Sequence, residues 1–247
     1  MPQPSGFVIY RGPSLLDGAP IVAIAVTASG NRKTGDMVQT YILCADVAPI
    51  EAARFGADAS VCGDCKHRPA LGGACYVNLG HGPRSVHAAY KRGRYPDATG
   101  ETLAELGRGR MVRLGTYGDP MAVPAHVWQT LTLHAAGHTG YSHQWQNPRI
   151  PAAQWRAVMD LCMASTDSET ECVQARDAGL RYFRIAELGA VPGPREFTCP
   201  ASAEAGKRLT CAQCGACNGT RSAADRRASP VIIVHGAKAS RFATTPR

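Results

Sequence analysis

Seven of the ten cysteines of this chain fall into two groups, and their spacing points to metal chemistry. The first cysteine group is Cys62, Cys65 and Cys75, and the second cysteine group is Cys199, Cys211, Cys214 and Cys217. Cysteines separated by two residues bring neighbouring thiolates onto one ion or iron-sulfur cluster from a single turn, a geometry that disulfides rarely need. The sequence therefore predicts a metalloprotein.

The first cysteine group offers three thiolates, and two kinds of metal site remain open for it, besides free or redox-active cysteines. His67 or His81 could supply a fourth ligand, which would close a zinc site. Without a fourth ligand, the three thiolates would hold a four-iron cluster and leave one iron open to a small molecule.

The second cysteine group supplies four thiolates, enough to close a tetrahedral zinc site or to ligate an iron-sulfur cluster fully. We expect this site to be structural. The remaining cysteines, Cys44, Cys162 and Cys172, stand alone within apolar or helical patterns and are predicted to be core residues.

The elements that must position these groups alternate along the chain. Apolar runs at 21–27 and 37–43 predict an N-terminal strand pair, and a short helix follows from Pro49. Helical and strand patterns then alternate to residue 185, and a last strand spans 230–235. This order predicts an α/β protein, a TIM-like or partial (β/α) barrel with an N-terminal β-hairpin and a cysteine-rich C-terminal metal-binding appendage. The expected divisions are 1–48 for the strand pair, 49–195 for the barrel, 196–237 for the appendage and last strand, and 238–247 for a mobile tail.

Chemistry in such folds gathers at the carboxyl ends of strands. Asp119 follows a predicted strand in the turn Tyr117-Gly118-Asp119-Pro120, and Asp167 follows the strand at 161–165. Both are candidate catalytic residues. The alternatives are a turn-forming role for Asp119 before proline and a helix N-cap role for Asp167.

The composition and the motifs of the chain limit the binding partners and activities to be expected. Lys and Arg outnumber Asp and Glu by 27 to 19, a net charge of +8, which allows contact with nucleic acid, while only 6% aromatic residues argues against a single-strand stacking platform. A P-loop and a GxSxG motif are both missing from the sequence, which argues against a nucleotide hydrolase or a serine esterase. The first residues form no signal peptide and no apolar run spans a membrane, so we expect a cytoplasmic protein with reduced thiols and no membrane partner.

A three-cysteine loop, a helix, a strand ending in Gly118-Asp119-Pro120 and a cysteine-rich C-terminal part together resemble the radical S-adenosylmethionine superfamily. The same order is similar to short phage-encoded cysteine-rich barrel proteins. The resemblance implies a four-iron cluster on the first cysteine group and binding of S-adenosylmethionine by Tyr117, Gly118 and Asp119, with Tyr76 beside the adenine. The spacing here, Cys-x2-Cys-x9-Cys, differs from the Cys-x3-Cys-x2-Cys of that superfamily.

A second, weaker resemblance is to the tRNA- and DNA-guanine transglycosylases, TIM-like barrels with a zinc site near the C-terminal end. It implies a base-exchange reaction in which Asp119 or Asp167 attacks the sugar carbon. The leading hypothesis is a radical S-adenosylmethionine-like enzyme acting on a nucleobase or nucleic acid. The transglycosylase-like enzyme is the alternative, and a non-enzymatic, zinc-stabilised nucleic-acid or protein binding module is the third.

Overall fold

A computed structural model describes residues 4–236 and 238–242. Its strands form one nine-stranded sheet in the order β1-β2-β3-β4-β5-β6-β7-β9-β8. Pairing is antiparallel from β1 to β3 and parallel in the rest of the sheet. The strands are β1 Gly6–Pro13, β2 Pro20–Val26, β3 Met37–Cys44, β4 Met111–Tyr117, β5 Gly137–Ser142, β6 Met163–Thr166, β7 Tyr182–Ala186, β8 Glu196–Thr198 and β9 Ser229–Ile233.

The helices confirm the predicted alternation between residues 83 and 185, and α2, α4 and α8 are additional to the prediction. The longest helix in the described part of the chain, α3, has ten residues, and no described helix is long and apolar enough to cross a membrane. The helices are α1 Pro49–Phe55, α2 Ala59–Cys62, α3 Gly82–Lys91, α4 Gly100–Leu106, α5 Ala125–Thr132, α6 Ala152–Met159, α7 Glu169–Asp177 and α8 Cys211–Cys214.

The predicted N-terminal strand pair is confirmed as β2 and β3, with Ala23 opposite Ile42. Strand β2 is an unbroken apolar run because β1 and β3 flank it and both of its faces are buried. The sequence did not predict β1. Its apolar run is short and is followed by Gly12 and Pro13, which are typical of turns.

The sheet does not close into a barrel; within the described residues β1 and β8 are its two edges. The TIM-like form of the fold prediction is therefore not confirmed. The C-terminal part is also not an appendage, because β9 is inserted between β7 and β8. A buried ion pair holds this edge, with Arg184 Nε and Nη2 2.9 and 2.6 Å from the carboxylate of Glu196.

An irregularity in β4 prepares the turn that follows it. The β3–β4 register slips between Gln39 and Tyr41, and Gly115 has φ of +67°. The Thr40 hydroxyl donates to the Arg113 carbonyl at 2.9 Å and accepts from the Gly115 amide at 2.9 Å. A side chain thus replaces the lost ladder bonds, and the strand is redirected into the turn at 117–119.

The three solitary cysteines lie in the core as predicted: Cys44, Cys162 and Cys172 are all buried. Cys162 packs closely against Gly140 of β5: a Cβ added to Gly140 would lie 2.5 Å from the Cys162 sulfur. A larger side chain would therefore not fit at Gly140.

Candidate metal centre

A cavity of about 420 Å³ lies against the parallel part of the sheet. All three residues of the first cysteine group line it, together with Cys199 and Cys211 of the second. Strands β3, β4, β5, β7 and β9 contribute Tyr41, Arg113, Tyr141, Phe183 and Ile232 to its wall. The structure therefore brings two cysteine groups that are far apart in sequence to one cavity.

The loop of the first cysteine group begins at the end of α2, which follows β3. A buried arginine braces this loop: Arg68 Nη2 and Nε contact Asp58 Oδ1 at 2.6 and 3.0 Å. The same guanidinium donates to the carbonyls of Gly63 at 3.0 Å and Gly56 at 2.8 Å. The Cys75 amide closes the loop by donating to the His67 carbonyl at 2.9 Å. The sequence analysis missed this brace, because Arg68 and Asp58 have no motif in common.

Burial sets the chemistry of the three thiols. It raises the pKa of Cys65 to about 12 and raises the pKa of Cys62 well above its ordinary value, and the neighbouring thiols Cys65 and Cys75 raise the latter further. Without a nearby cation these thiols are neutral. A metal centre supplies the positive charge that allows buried thiols to ionise, so the donor set fits a metal.

The distances between the sulfur atoms bear on which metal fits. All ten cysteines are among the described residues, and no three of their sulfur atoms lie within 4.8 Å of one another. Zinc–sulfur bonds of 2.3 Å in a tetrahedron would place the sulfurs roughly 3.8 Å apart. At least one thiol of each cysteine group would therefore have to move closer to the others to hold a zinc ion.

The turn after β4 lies in the wall of the same cavity, where Tyr117, Gly118 and Asp119 are all lining residues. Gly118 has φ of +84°, and a Cβ there would lie 2.6 Å from Ile42. Only glycine allows the backbone to pass this close to β3. The Asp119 amide donates to the Val61 carbonyl at 2.6 Å, which fastens the turn directly to the helix that ends in Cys62.

The Asp119 carboxylate is occupied by its own chain. It accepts hydrogen bonds from Met121 N at 3.0 Å, Ser142 Oγ at 2.8 Å, His143 N at 2.7 Å and Gln144 N at 3.2 Å. Burial raises the pKa of Asp119, and the hydrogen bond from Met121 acts in the opposite direction. In this arrangement the carboxylate braces the ends of β4 and β5.

Asp167 forms a buried ion-pair network. Its Oδ2 lies 2.7 Å from His67 Nε2 and 3.1 Å from Lys66 Nζ, and Lys66 also contacts Glu171 at 3.0 Å. Burial raises the pKa of Asp167, but the hydrogen bond from His67 and the charges of His143, His67 and Lys66 outweigh it and lower that pKa to about 2. Asp167 is not the N-cap of α7, because Ser168 Oγ accepts from the Glu171 amide at 3.2 Å.

His67, His143 and Asp167 place three ligand atoms within 4.8 Å of one another, which would suit a metal ion. The 2.7 Å contact between His67 and Asp167 is a hydrogen bond, however, and the Lys66 ammonium already neutralises the carboxylate. We therefore describe this cluster as a network that orients His67.

Of the two histidines considered as a fourth ligand, His67 lines the cavity and His81 is exposed at the start of α3. The ring of His67 stacks on Phe242 with centroids 5.5 Å apart, and its buried Nδ1 has no hydrogen-bond partner within the described residues. Phe242, expected in the tail, is thus part of the cavity wall. Residues 243–247 of the expected tail lie outside the described residues. Tyr76 also lines the cavity, tilted against His235 with centroids 5.3 Å apart.

The second cysteine group closes the end of the cavity near the amino ends of the strands. The Cys211 amide donates to the Lys33 carbonyl ahead of β3 at 3.0 Å, and the Gly140 amide of β5 donates to the Cys217 carbonyl at 3.0 Å. Thr210 caps α8 with a reciprocal capping box. Burial raises the pKa of Cys217 to about 12. This group therefore sits inside the fold.

Two cations in the cavity wall were missed by the sequence analysis. Arg113 is 8% exposed, lies 5.4 Å from the centroid of Tyr141 and has no carboxylate within 4.0 Å among the described residues. Lys33 lies 3.4 Å from His235 Nε2. An arginine inside the apolar strand MVRLG was the available signal, since a buried charge is retained only with a counter-charge or a ligand.

Comparison of this chain with protein-family models, with curated proteins and with solved structures finds no match.

Proposed function

We propose that the protein is a radical S-adenosylmethionine-like enzyme that holds an iron-sulfur cluster on Cys62, Cys65 and Cys75. One observation carries the proposal. The three-cysteine loop follows β3, the first strand of the parallel series, and the Tyr117–Asp119 turn ends β4, the second, and both line one cavity. This is the order of parts that the resemblance in the sequence implies.

The topology supports the same interpretation. Seven strands run parallel in the order β3, β4, β5, β6, β7, β9 and β8, without closing, which we interpret as a partial (β/α) barrel. Three thiols on one loop that lines the cavity suit an iron-sulfur cluster with one iron free of protein ligands. The cofactors proposed are therefore an iron-sulfur cluster and S-adenosylmethionine, with zinc or a second cluster at the C-terminal cysteines.

When bound, the cluster would supply an electron and an iron position free of protein ligands. The chain supplies the enclosure. Asp119 N fixes the turn to Val61, so the backbone of Tyr117 and Gly118 stays beside the cysteine loop, where it would hold the amino group of the cofactor. Tyr76 would pack against the adenine.

A nucleobase or nucleic acid is the substrate class proposed. Aromatic rings from three different strands, Tyr41, Tyr141 and Phe183, surround the cavity and would stack on a planar base. Arg113 and Lys33 add positive charge, which complements both thiolates and an anionic substrate.

The transglycosylase-like alternative receives less support. It requires a free carboxylate nucleophile, whereas Asp119 accepts four hydrogen bonds and Asp167 is paired with His67 and Lys66. It also expects a closed barrel and no metal at the first cysteine group.

The deciding experiment is anaerobic purification with iron, sulfide and zinc analysis, followed by a visible spectrum and an assay for reductive cleavage of S-adenosylmethionine. We expect a brown protein with charge-transfer absorption from iron-thiolate bonds and turnover of the cofactor. Cys65→Ser should remove the iron of the first site and the cleavage activity, whereas Cys44→Ser, a buried cysteine outside both groups, should keep the metal.

A colourless protein with zinc in both sites and no iron after anaerobic reconstitution would overturn the proposal. Iron bound without any cofactor cleavage would limit the protein to an iron-sulfur binding role.

A further inference from the structure

A second, smaller cavity of about 40 Å³ lies at the amino end of β7, and it shares no lining residue with the large cavity. Its wall is dominated by arginines and contains one carboxylate. The charged lining residues are Arg176, Arg181, Arg195, Arg226, Arg227 and Asp225.

The one carboxylate is already neutralised. Asp225 accepts from Arg227 Nη2 at 2.5 Å and Nε at 3.0 Å, and from the backbone amides of Arg221 and Arg227 at 3.1 Å each. Within the described residues, the other four lining arginines have no carboxylate within 4.0 Å. The cavity therefore carries an uncompensated positive charge.

Arg181 is the buried member of this set, at 4% exposure. Its terminal nitrogens donate to the carbonyls of Ala216 at 3.0 Å, Gly219 at 3.3 Å and Ala228 at 2.7 Å. Its Nε is buried and has no acceptor within the described residues. A buried charged donor without an acceptor is destabilising, so the contacts of Arg181 with its own chain leave part of its charge unsatisfied. Burial and the nearby Arg227 also lower the pKa of Arg181, a strain that an anion would relieve.

We infer that this arginine pocket, formed by the five arginines and Asp225, binds a phosphoryl group. Guanidinium groups are suited to tetrahedral oxyanions because their planar N–H donors match pairs of phosphate oxygens. The volume has room for about three waters, which suits one phosphoryl group and excludes a nucleoside. The phosphoryl group can belong to a nucleic-acid backbone or to a small phosphorylated molecule. The inference does not depend on the proposed chemistry, since none of these residues lines the large cavity.

The test uses the full-length, metal-loaded protein labelled with ¹⁵N-arginine and titrated with inorganic phosphate at constant ionic strength. We expect a saturable shift of the Arg181 Nε–H signal. The double variant Arg195→Gln/Arg226→Gln removes two exposed arginines of the pocket, leaves the structural bonds of Arg181 intact and should weaken phosphate binding about tenfold.

The control is Arg92→Gln/Arg94→Gln, which removes the same charge from exposed positions outside the pocket and should leave the affinity unchanged. No saturable shift of Arg181, or equal weakening in both double variants, would overturn the inference, because only net charge would then matter.

A second titration distinguishes the source of the phosphoryl group. Tighter binding of a single-stranded oligonucleotide than of inorganic phosphate, lost in the pocket variant alone, would assign the site to a nucleic-acid backbone. Equal affinity for phosphate and oligonucleotide would assign it to a free phosphoryl group. If the wild-type protein binds phosphate but does not cleave S-adenosylmethionine, the proposed function is refuted and the inference about the arginine pocket is unaffected.

Discussion

The brace beneath the first cysteine group makes a quantitative prediction. Arg68→Gln removes a guanidinium that is bonded to Asp58 and to the carbonyls of Gly56 and Gly63, and it leaves the Asp58 carboxylate, 1% exposed, as a buried unpaired charge. Breaking a buried ion pair from one side costs about 3–5 kcal/mol. For a chain of this size that loss corresponds to a fall of roughly 6–20 °C in Tm.

The assay is urea unfolding of the anaerobically purified protein, with iron content measured on the same samples. The free energy of unfolding should fall by about 3–5 kcal/mol with the urea dependence unchanged. Iron bound at the first cysteine group should fall as well, since the Gly63 carbonyl held by Arg68 lies between Cys62 and Cys65. Asp58→Asn/Arg68→Gln should recover part of the stability, because it removes the unpaired charge together with its partner.

The matched control is the exposed pair Arg11–Asp97, whose side chains are 48% and 66% exposed at a similar distance of 2.9 Å. Arg11→Gln should cost less than about 1 kcal/mol, because solvent screens the pair. A loss below that level for Arg68→Gln, or a loss equal to the control, would refute the view that burial makes this pair a structural element of the cysteine loop.

Three further predictions concern the two cysteine groups, the turn after β4 and the arginine pocket. Cys214→Ala should lower stability and solubility, while Cys65→Ala should leave a folded protein without cofactor cleavage; equal collapse in thermal unfolding would show that both sites are scaffolding. Gly115→Ala should destabilise by about 1–2 kcal/mol or more, since φ is +67° and the added Cβ would lie 2.6 Å from the Gly118 carbonyl; a wild-type Tm would contradict this. The hydrogen bond from Arg227 lowers the pKa of Asp225, so its stabilisation is present above the ordinary carboxyl pKa of about 4 and is lost as pH falls below it; Asp225→Asn should therefore show a weaker acid dependence of the urea midpoint than wild type.

The sequence predicted the parts of the fold that depend on short, local residue patterns. Apolar runs located β2, β3, β4 and β9, and proline and glycine marked the limits of α1. The two cysteine groups were recognisable because ligand spacing is itself a local property.

The parts that the sequence did not predict depend on contacts between distant positions. Gly140 is hydrogen-bonded to Cys217, and His67 to Asp167. The hydrophobic periodicity of the sequence cannot predict contacts between residues so far apart in the chain. The second cysteine group was expected in a C-terminal appendage. Its backbone bonds to the loop before β3 and to β5 instead place it inside the fold. Open and closed barrels also have the same alternation of strands and helices, so the sequence could not distinguish them.

The positions of the two cysteine groups relative to β3 explain why both line one cavity. The first group follows the carboxyl end of this eight-residue strand, and the second is bonded to Lys33 and Thr34 just before its amino end. Eight residues of strand extend roughly 25 Å, so the groups approach the cavity from opposite ends.

Cys199 and Cys211 line the cavity, whereas Cys214 does not, so one metal site could serve both as a structural closure and as a wall that a substrate contacts. If both sites hold iron-sulfur clusters, a substrate among the aromatic rings lies between two redox centres; if the second holds zinc, redox chemistry is confined to the carboxyl end. In the proposed enzyme, the metal at the second cysteine group therefore decides how many redox centres the cavity contains, and metal analysis of Cys65→Ser, which would keep only that site, measures it directly.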